Sequence, residues 1–215
     1  MFPINNFGGI EVQEESLLDK HVIIFLLVKP SDDGAQRIIG KFNYLHHLAG
    51  KYCSIYPIGY CQDFFGYYKD IQPIKGVNNE KWFYSDKCFI EFCEELSKKL
   101  KGWSYSGEPE LIILQNKLVD GCCSKLDFRN YNYIDINYGI RKGYIDSFER
   151  FMQRLLTACK SEVNSYTAIK EANKKRLKPR NVLEMAIEGL PKLPKPIKAV
   201  LKDKLFYKSS ASKEI

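Results

Sequence analysis

The most apolar short run in the chain, HVIIFLLV at residues 21–28, gives way to a polar turn, KPSDDG. Ala35, Ile38, Ile39, Phe42, Leu45 and Ala49 then follow at helical spacing. An unbroken apolar run rich in β-branched residues reads as a strand buried on both faces, whereas apolar residues every three or four positions make one face of a helix. Pro30 closes the strand and Gly50 stops the helix. The segment YCSIYPIGY, residues 52–60, is strand-like again, so the chain is predicted to open as a β-α-β unit.

The clearest helix in the pattern is SDKCFIEFCEELSKKLKG, residues 85–102. Ser85 is a capping residue type, and Phe89, Phe92, Cys93, Leu96 and Leu100 form one face. Glu94 to Lys98 and Glu95 to Lys99 are favourable pairs on another face. Lys98, Lys99 and Lys101 complement the helix C-terminus before Gly102. PELIILQN then predicts a third buried strand. DFRNYNYIDINYG predicts a fourth, with Asn132, Ile134, Ile136 and Tyr138 alternating as on a strand near a sheet edge. A longer helical pattern starts at Asp146, with Glu149 three residues on as in a capping box, and meets no Gly or Pro until Pro179.

Between residues 61 and 84 lies a stretch too long for a simple connection, carrying Phe64, Phe65, Tyr67, Tyr68, Trp82, Phe83 and Tyr84. Packing on the sheet edge is the simpler role for these aromatics; stacking on bases is the alternative.

Charge changes the picture. Residues 1–159 hold 19 Lys and Arg against 20 Asp and Glu, whereas residues 160–215 hold 14 against 6, so the net charge of +7 resides in the last quarter of the chain. That quarter is punctuated by Pro179, Pro191, Pro194 and Pro196. We therefore divide the chain into a body, 1–160, and a basic, Pro-punctuated helical extension, 161–215. Lys174, Lys175, Arg176, Lys178 and Arg180 form its densest cluster, continued by Lys195, Lys198 and Lys202. Such clusters bind phosphate backbones. The expected partner is a nucleic acid or a protein, engaged through residues 170–208. The apolar positions Ile197, Val200, Leu201 and Leu205 also suit an anionic membrane surface.

Composition narrows the class further. At 215 residues, with 45% hydrophobic content, the chain can bury a sizeable core. HVIIFLLV is about half the length needed to span a bilayer. The N-terminal residues lack the basic-then-apolar pattern of a secretory signal, and the seven cysteines are odd in number and irregularly spaced. These features point to a reducing, cytoplasmic setting.

Candidate chemistry sits at strand ends. If the first three strands are parallel, Lys29, Ser31, Asp32 and Asp33, then Tyr60, Gln62 and Asp63, then Gln115, Asn116 and Lys117 converge on one edge, where open α/β sheets bind ligands. Two aspartates at the start of a helix exclude a phosphate cradle, because a further anion there would be repelled. Asp32, Asp33 and Asp63 would suit a divalent cation or acid-base work instead. The simpler account is that Ser31 or Asp32 caps the helix and Asp33 steadies its first turn. Glu110 followed by Gln115-Asn116-Lys117 matches a metal-dependent nuclease only in part, since both elements fall on one strand. His46 and His47, adjacent on a helix, point about 100° apart and cannot share one metal. The overall expectation is a three-layer, Rossmann-like α/β body with a mixed, mainly parallel sheet, serving as an interaction subunit of a larger assembly. The alternative is a metal-assisted enzyme acting on a nucleotide or nucleic acid.

Overall fold

Strand β1, Val22–Leu27, is where the longest apolar run predicts it, and all six residues are buried. The computed structural model describes residues 1–4, 6–16, 22–50, 52–64, 66–119, 123–159 and 207–209. Ahead of β1 runs helix α1, Phe7–Glu15, whose start is capped by the Asn6 side chain accepting from Gly9 N.

After β1 the predicted single helix is two: α2, Ala35–Ile39, and α3, Phe42–Ala49. The break falls at Gly40, the poorest helix former after proline. The apolar face continues across it, with Ala35, Ile38, Ile39, Phe42, Leu45 and Ala49 all buried. Strand β2, Cys53–Pro57, then pairs parallel with β1, completing the expected β-α-β unit.

The stretch 61–84 contains a second sheet. β3, Tyr60–Cys61, and β4, Gln72–Lys75, both pair antiparallel with β5, Lys81–Tyr84. Its aromatics mostly pack: Phe64, Trp82 and Tyr84 are buried, while Tyr67 is 79% exposed. Helix α4, Asp86–Lys99, follows as predicted, with the Ser85 hydroxyl accepting from Cys88 N at 3.1 Å. Its inner face meets α1 and β1, where Phe92 stacks on Phe7 at 4.1 Å between ring centroids and meets Phe25 edge-on at 5.7 Å.

The next two strands correct the expected direction. β6, Glu110–Val119, runs antiparallel to β1, and β7, Cys123–Asp135, runs antiparallel to β6. The main sheet, ordered β2-β1-β6-β7-β8, is mixed, but β1 with β2 is its one parallel pair among the described residues. A central strand covered on both faces is continuously apolar whichever way it runs, so LIIL carried no directional signal. Ile136, read as the end of a strand, instead opens α5, Ile136–Arg141, with the Asp135 side chain accepting from Tyr138 N at 2.7 Å. The last helix among the described residues, α6, Phe148–Cys159, begins at Ser147, whose hydroxyl accepts from Arg150 N; the expected Asp146–Glu149 capping box is not its start, and the continuation of the helical pattern toward Pro179 lies outside the described residues. Strand β8, Tyr207–Ser209, adds to the outer edge of β7 at Asn132–Ile134. No helix among the described residues is long and apolar enough to cross a membrane.

Candidate functional site

The polar residues closest to the C-terminal end of β1 form a network rather than a helix cap. The N-cap of α2 is Gly34, in the left-handed region at φ 73°, and no side chain caps it. The Asp32 carboxylate instead folds back: its Oδ2 accepts from Lys29 N at 2.8 Å and from the Tyr105 hydroxyl at 2.9 Å. The expectation that Ser31 or Asp32 caps the helix is thereby corrected. A carboxylate can brace a turn and a distant loop together, and here it ties residues 29–32 to the segment that precedes β6.

Lys29 extends the network to the small sheet. Its Nζ lies 3.1 Å from Asp86 Oδ1 and 5.7 Å from the centre of the Phe89 ring. The same Asp86 oxygen accepts from the Tyr84 hydroxyl at 2.9 Å, and the Tyr60 hydroxyl donates to Val28 O at 2.9 Å. Burial, together with the neighbouring carboxylates, pushes the Tyr60, Tyr84 and Tyr105 phenols up. These three side chains therefore serve as protonated donors, not as bases.

Beside this network opens a cleft of about 590 Å³ between the turn at 32–38 and the segments carrying α5 and the start of α6. Asp32, Asp33, Arg37, Asn137 and Arg141 line it, with Ile140 and Phe148 as apolar wall. The Asn137 amide holds its two sides together, donating to Asp33 O at 3.0 Å and to Glu108. Glu108 in turn pairs with Arg141 at 3.3 Å, and Glu149 on the α6 rim pairs with Lys41 at 2.8 Å.

Strand direction decides which expected residues meet. Because β6 is antiparallel to β1, Gln115 stands in register with Val22, at the opposite end of the sheet from Asp32. Gln115, Asn116 and Lys117 therefore do not join the edge that Lys29, Asp32 and Asp33 occupy. Glu110 takes that place, in register with Leu27 and, across β6–β7, with Asp135. Glu110 and Lys117 are seven residues apart on one strand, roughly 20 Å, too far to share a metal. Asp63 follows β3 in the small sheet and is exposed; it does not line the cleft that Asp32 and Asp33 share. Among the described residues no three His, Cys, Asp or Glu side chains gather as a metal site. The basic cluster, Lys174, Lys175, Arg176, Lys178, Arg180, Lys195, Lys198 and Lys202, lies outside the described residues.

Glu110 is the group that sequence reasoning undervalued. It is fully buried; its Oε2 accepts from Trp103 Nε1 at 3.1 Å and its Oε1 from Ser106 N at 2.9 Å. Burial raises its pKa to about 7 against the lowering effect of those bonds. A carboxylate heading the apolar run LIIL is the one available signal. Asp135, in register beside it, is also raised by burial.

The arrangement suits holding a shape better than turning over a substrate. The Asp32, Asp86, Glu108 and Glu110 carboxylates are engaged by donors or cations, the three phenols stay protonated, and Glu110 has no exposed surface. The thiols are no readier: Cys88 and Cys93 are pushed up to about 12 by burial, which keeps them inert. Asp32→Ala is expected to cost about 1–2 kcal/mol by leaving Lys29 N and the Tyr105 hydroxyl without their acceptor. Asp32→Asn, which keeps one oxygen for both donors, should cost less than half of that in urea unfolding. Equal losses would mean that the carboxylate charge, not its geometry, braces the turn. Comparison with protein families, curated proteins and solved structures finds no match.

Proposed function

We propose that this chain is a cytoplasmic, non-catalytic interaction subunit of a larger assembly that binds nucleic acid through its basic stretch, residues 174–202. The observation that carries the reading is the segregation of charge: 14 Lys and Arg against 6 Asp and Glu after residue 159, beside a body that is neutral within one charge. No acidic residue interrupts the chain between Glu171 and Glu184, where Lys174, Lys175, Arg176, Lys178 and Arg180 stand. A polyanion releases counterions to such a cluster, whatever its sequence. A membrane surface would draw on Ile197, Val200, Leu201 and Leu205 and fits the densest cluster less well, because among residues 174 to 180 the only apolar side chains are Leu177 and Pro179. A three-layer, Rossmann-like body with the basic region as a helical extension belongs to the same proposal.

The second reading, a metal-assisted enzyme using Asp32, Asp33 and Asp63, has one observation in its favour: Asp32 and Asp33 share a cleft wall with Arg37 and Arg141. It needs a cation that Asp63 helps to hold, and Asp63 lies in none of the cleft's walls.

Deleting the region from residue 174 onward would also remove β8 from the main sheet. Charge removal is therefore the cleaner test. Serine at all five positions Lys174, Lys175, Arg176, Lys178 and Arg180 should weaken binding of the full chain to a fluorescein-labelled 30-base-pair duplex at least tenfold at 0.1 M NaCl. The slope of log affinity against log salt should fall in magnitude by about 3 to 4, as expected when most of five phosphate contacts are lost. An unchanged affinity and slope, or no duplex binding by the parent protein at 50 mM NaCl, would sink the proposal in favour of a protein partner.

A further inference from the structure

We infer that the cleft between the turn at 32–38 and α5 binds a small zwitterion, an α-amino acid with an apolar side chain, through Asp33 for its ammonium group and Arg37 for its carboxylate. Such a site stands apart from the basic stretch, and it holds its ligand without turning it over.

Most charges in the cleft wall are already engaged. Its charged side chains are Asp32, Asp33, Arg37, Arg141, Asp146 and Glu149. Arg141 pairs with Glu108 at 3.3 Å, Asp146 with Arg154 at 3.1 Å and Glu149 with Lys41 at 2.8 Å. Asp32 accepts from Lys29 N and from the Tyr105 hydroxyl. Among the described residues, the Asp33 carboxylate and the Arg37 guanidinium have no such partner, and both residues are exposed.

Asp33 and Arg37 stand four residues apart, a spacing that brings opposite charges together on a regular helix. Gly34 lies between them in the left-handed region at φ 73° and is the N-cap of α2, so Arg37 is on the helix path and Asp33 is off it. The Asp33 carbonyl is held toward α5 instead, accepting from Asn137 Nδ2 at 3.0 Å. Two opposite charges therefore line one cleft without closing on each other.

An open pair of this kind selects a molecule that carries both charges. A lone anion would meet the repulsion of Asp32 and Asp33, and a lone cation that of Arg37. A guanidinium takes a carboxylate through two parallel N–H donors, and a primary ammonium group brings three donors of its own. Beside the Asp33 carboxylate, Asn137 supplies a neutral acceptor. Its Oδ1 lies 3.6 Å from where a Cβ on Gly34 would stand, and its side-chain hydrogen bonds to Asp33 and Glu108 both leave from Nδ2.

A third point of contact is apolar. Ile140 is 40% exposed and lines the same cleft, beside the buried Ile136 and Phe148. An aliphatic ligand side chain resting there would remove Ile140 from water. The cleft volume of about 590 Å³ is of the size that small molecules occupy in protein sites.

The test titrates L-leucine into the isotope-labelled full-length chain and follows the backbone amide signals by NMR. Gly34, Arg37 and Ile140 should shift together and saturate with a Kd of about 0.1–1 mM, ordinary for a ligand of this size. Two analogues that keep the leucine side chain separate its charged ends. 4-Methylpentanoate lacks the ammonium group, 3-methylbutylamine lacks the carboxylate, and each should bind at least about tenfold more weakly than leucine. Arg37→Gln should weaken leucine about tenfold with 3-methylbutylamine no weaker, and Asp33→Asn should weaken leucine similarly with 4-methylpentanoate no weaker. Both side chains are exposed, so the melting temperature should stay within about 2 °C of the parent's. The analogue series on the parent chain decides the matter should either variant fail to fold. No saturable shift up to 20 mM leucine, equal affinity for leucine and the two analogues, or leucine binding unchanged in either variant would each overturn the site.

Discussion

Gly59→Ala is expected to lower the stability of the protein by about 3 kcal/mol or more, because it combines two penalties at the joint between the sheets. Gly59 follows β2 of the main sheet and precedes β3 of the small one, in the left-handed region at φ 83°. Its carbonyl accepts from Ser85 N at 3.0 Å, which anchors the start of α4 to the same turn. A side chain there would place Cβ 2.8 Å from Tyr84 Cε2 and 2.9 Å from Phe89 Cβ, both on buried residues that cannot swing away. Gly66 supplies the control, since it too has positive φ, at 77°, but a Cβ there meets nothing within 4 Å. Gly66→Ala should cost about 1 kcal/mol, the backbone strain alone. Urea unfolding of the two variants separates strain from crowding. Equal losses would show that the Tyr84–Phe89 wall yields and that the joint is looser than its packing implies.

Much of this architecture is legible in the sequence, and what is not legible has identifiable physical causes. β1, α4 and the β-α-β opening follow from periodicity because their apolar faces are long and unambiguous. The Ser85 cap and the buried set Phe89, Phe92, Cys93 and Leu96 are found where they were expected. Strand direction was not encoded locally. The LIIL run of β6 is the same read forwards or backwards, and only the path of the chain through residues 100–109 turns it round. The site inherits that uncertainty, since a reversed β6 exchanges Gln115 for Glu110 at the edge beside Asp32. The small sheet was hidden for another reason. β4 and β5 are four residues each and mostly exposed on β4, so their alternation is too short to stand out. The role of Asp32 was misread because a carboxylate before a helix suits a cap and a turn brace equally. Tyr105, 73 positions away, decides between them.

Glu110 should give the protein a stability that falls as the pH rises from about 5 to 8. In the unfolded chain its carboxyl ionises near the ordinary value of 4.5, and in the folded chain burial holds the pKa at about 7. Below pH 4.5 both states are protonated and the group favours neither. Between the two values the unfolded state releases the proton while the folded state keeps it, so each pH unit favours unfolding. Above pH 7 the full difference applies, about 3 kcal/mol for this displacement. Glu110→Gln removes the titration without removing the side chain. At pH 5 the amide matches the protonated acid in charge, but its NH2 faces one of the two N–H donors of Trp103 and Ser106, so the variant should lie about 1–2 kcal/mol below the parent. By pH 8 the comparison should have moved by about 2 kcal/mol in the variant's favour, since only the parent then carries a buried charge. The difference between the two unfolding curves isolates Glu110 from other groups that titrate in the folded body, including its neighbour Asp135. A difference that stays flat from pH 5 to 8 would mean that the Trp103 and Ser106 hydrogen bonds fully offset burial. Glu110 would then be an ordinary ionised anchor for the loop that carries Tyr105 to Asp32.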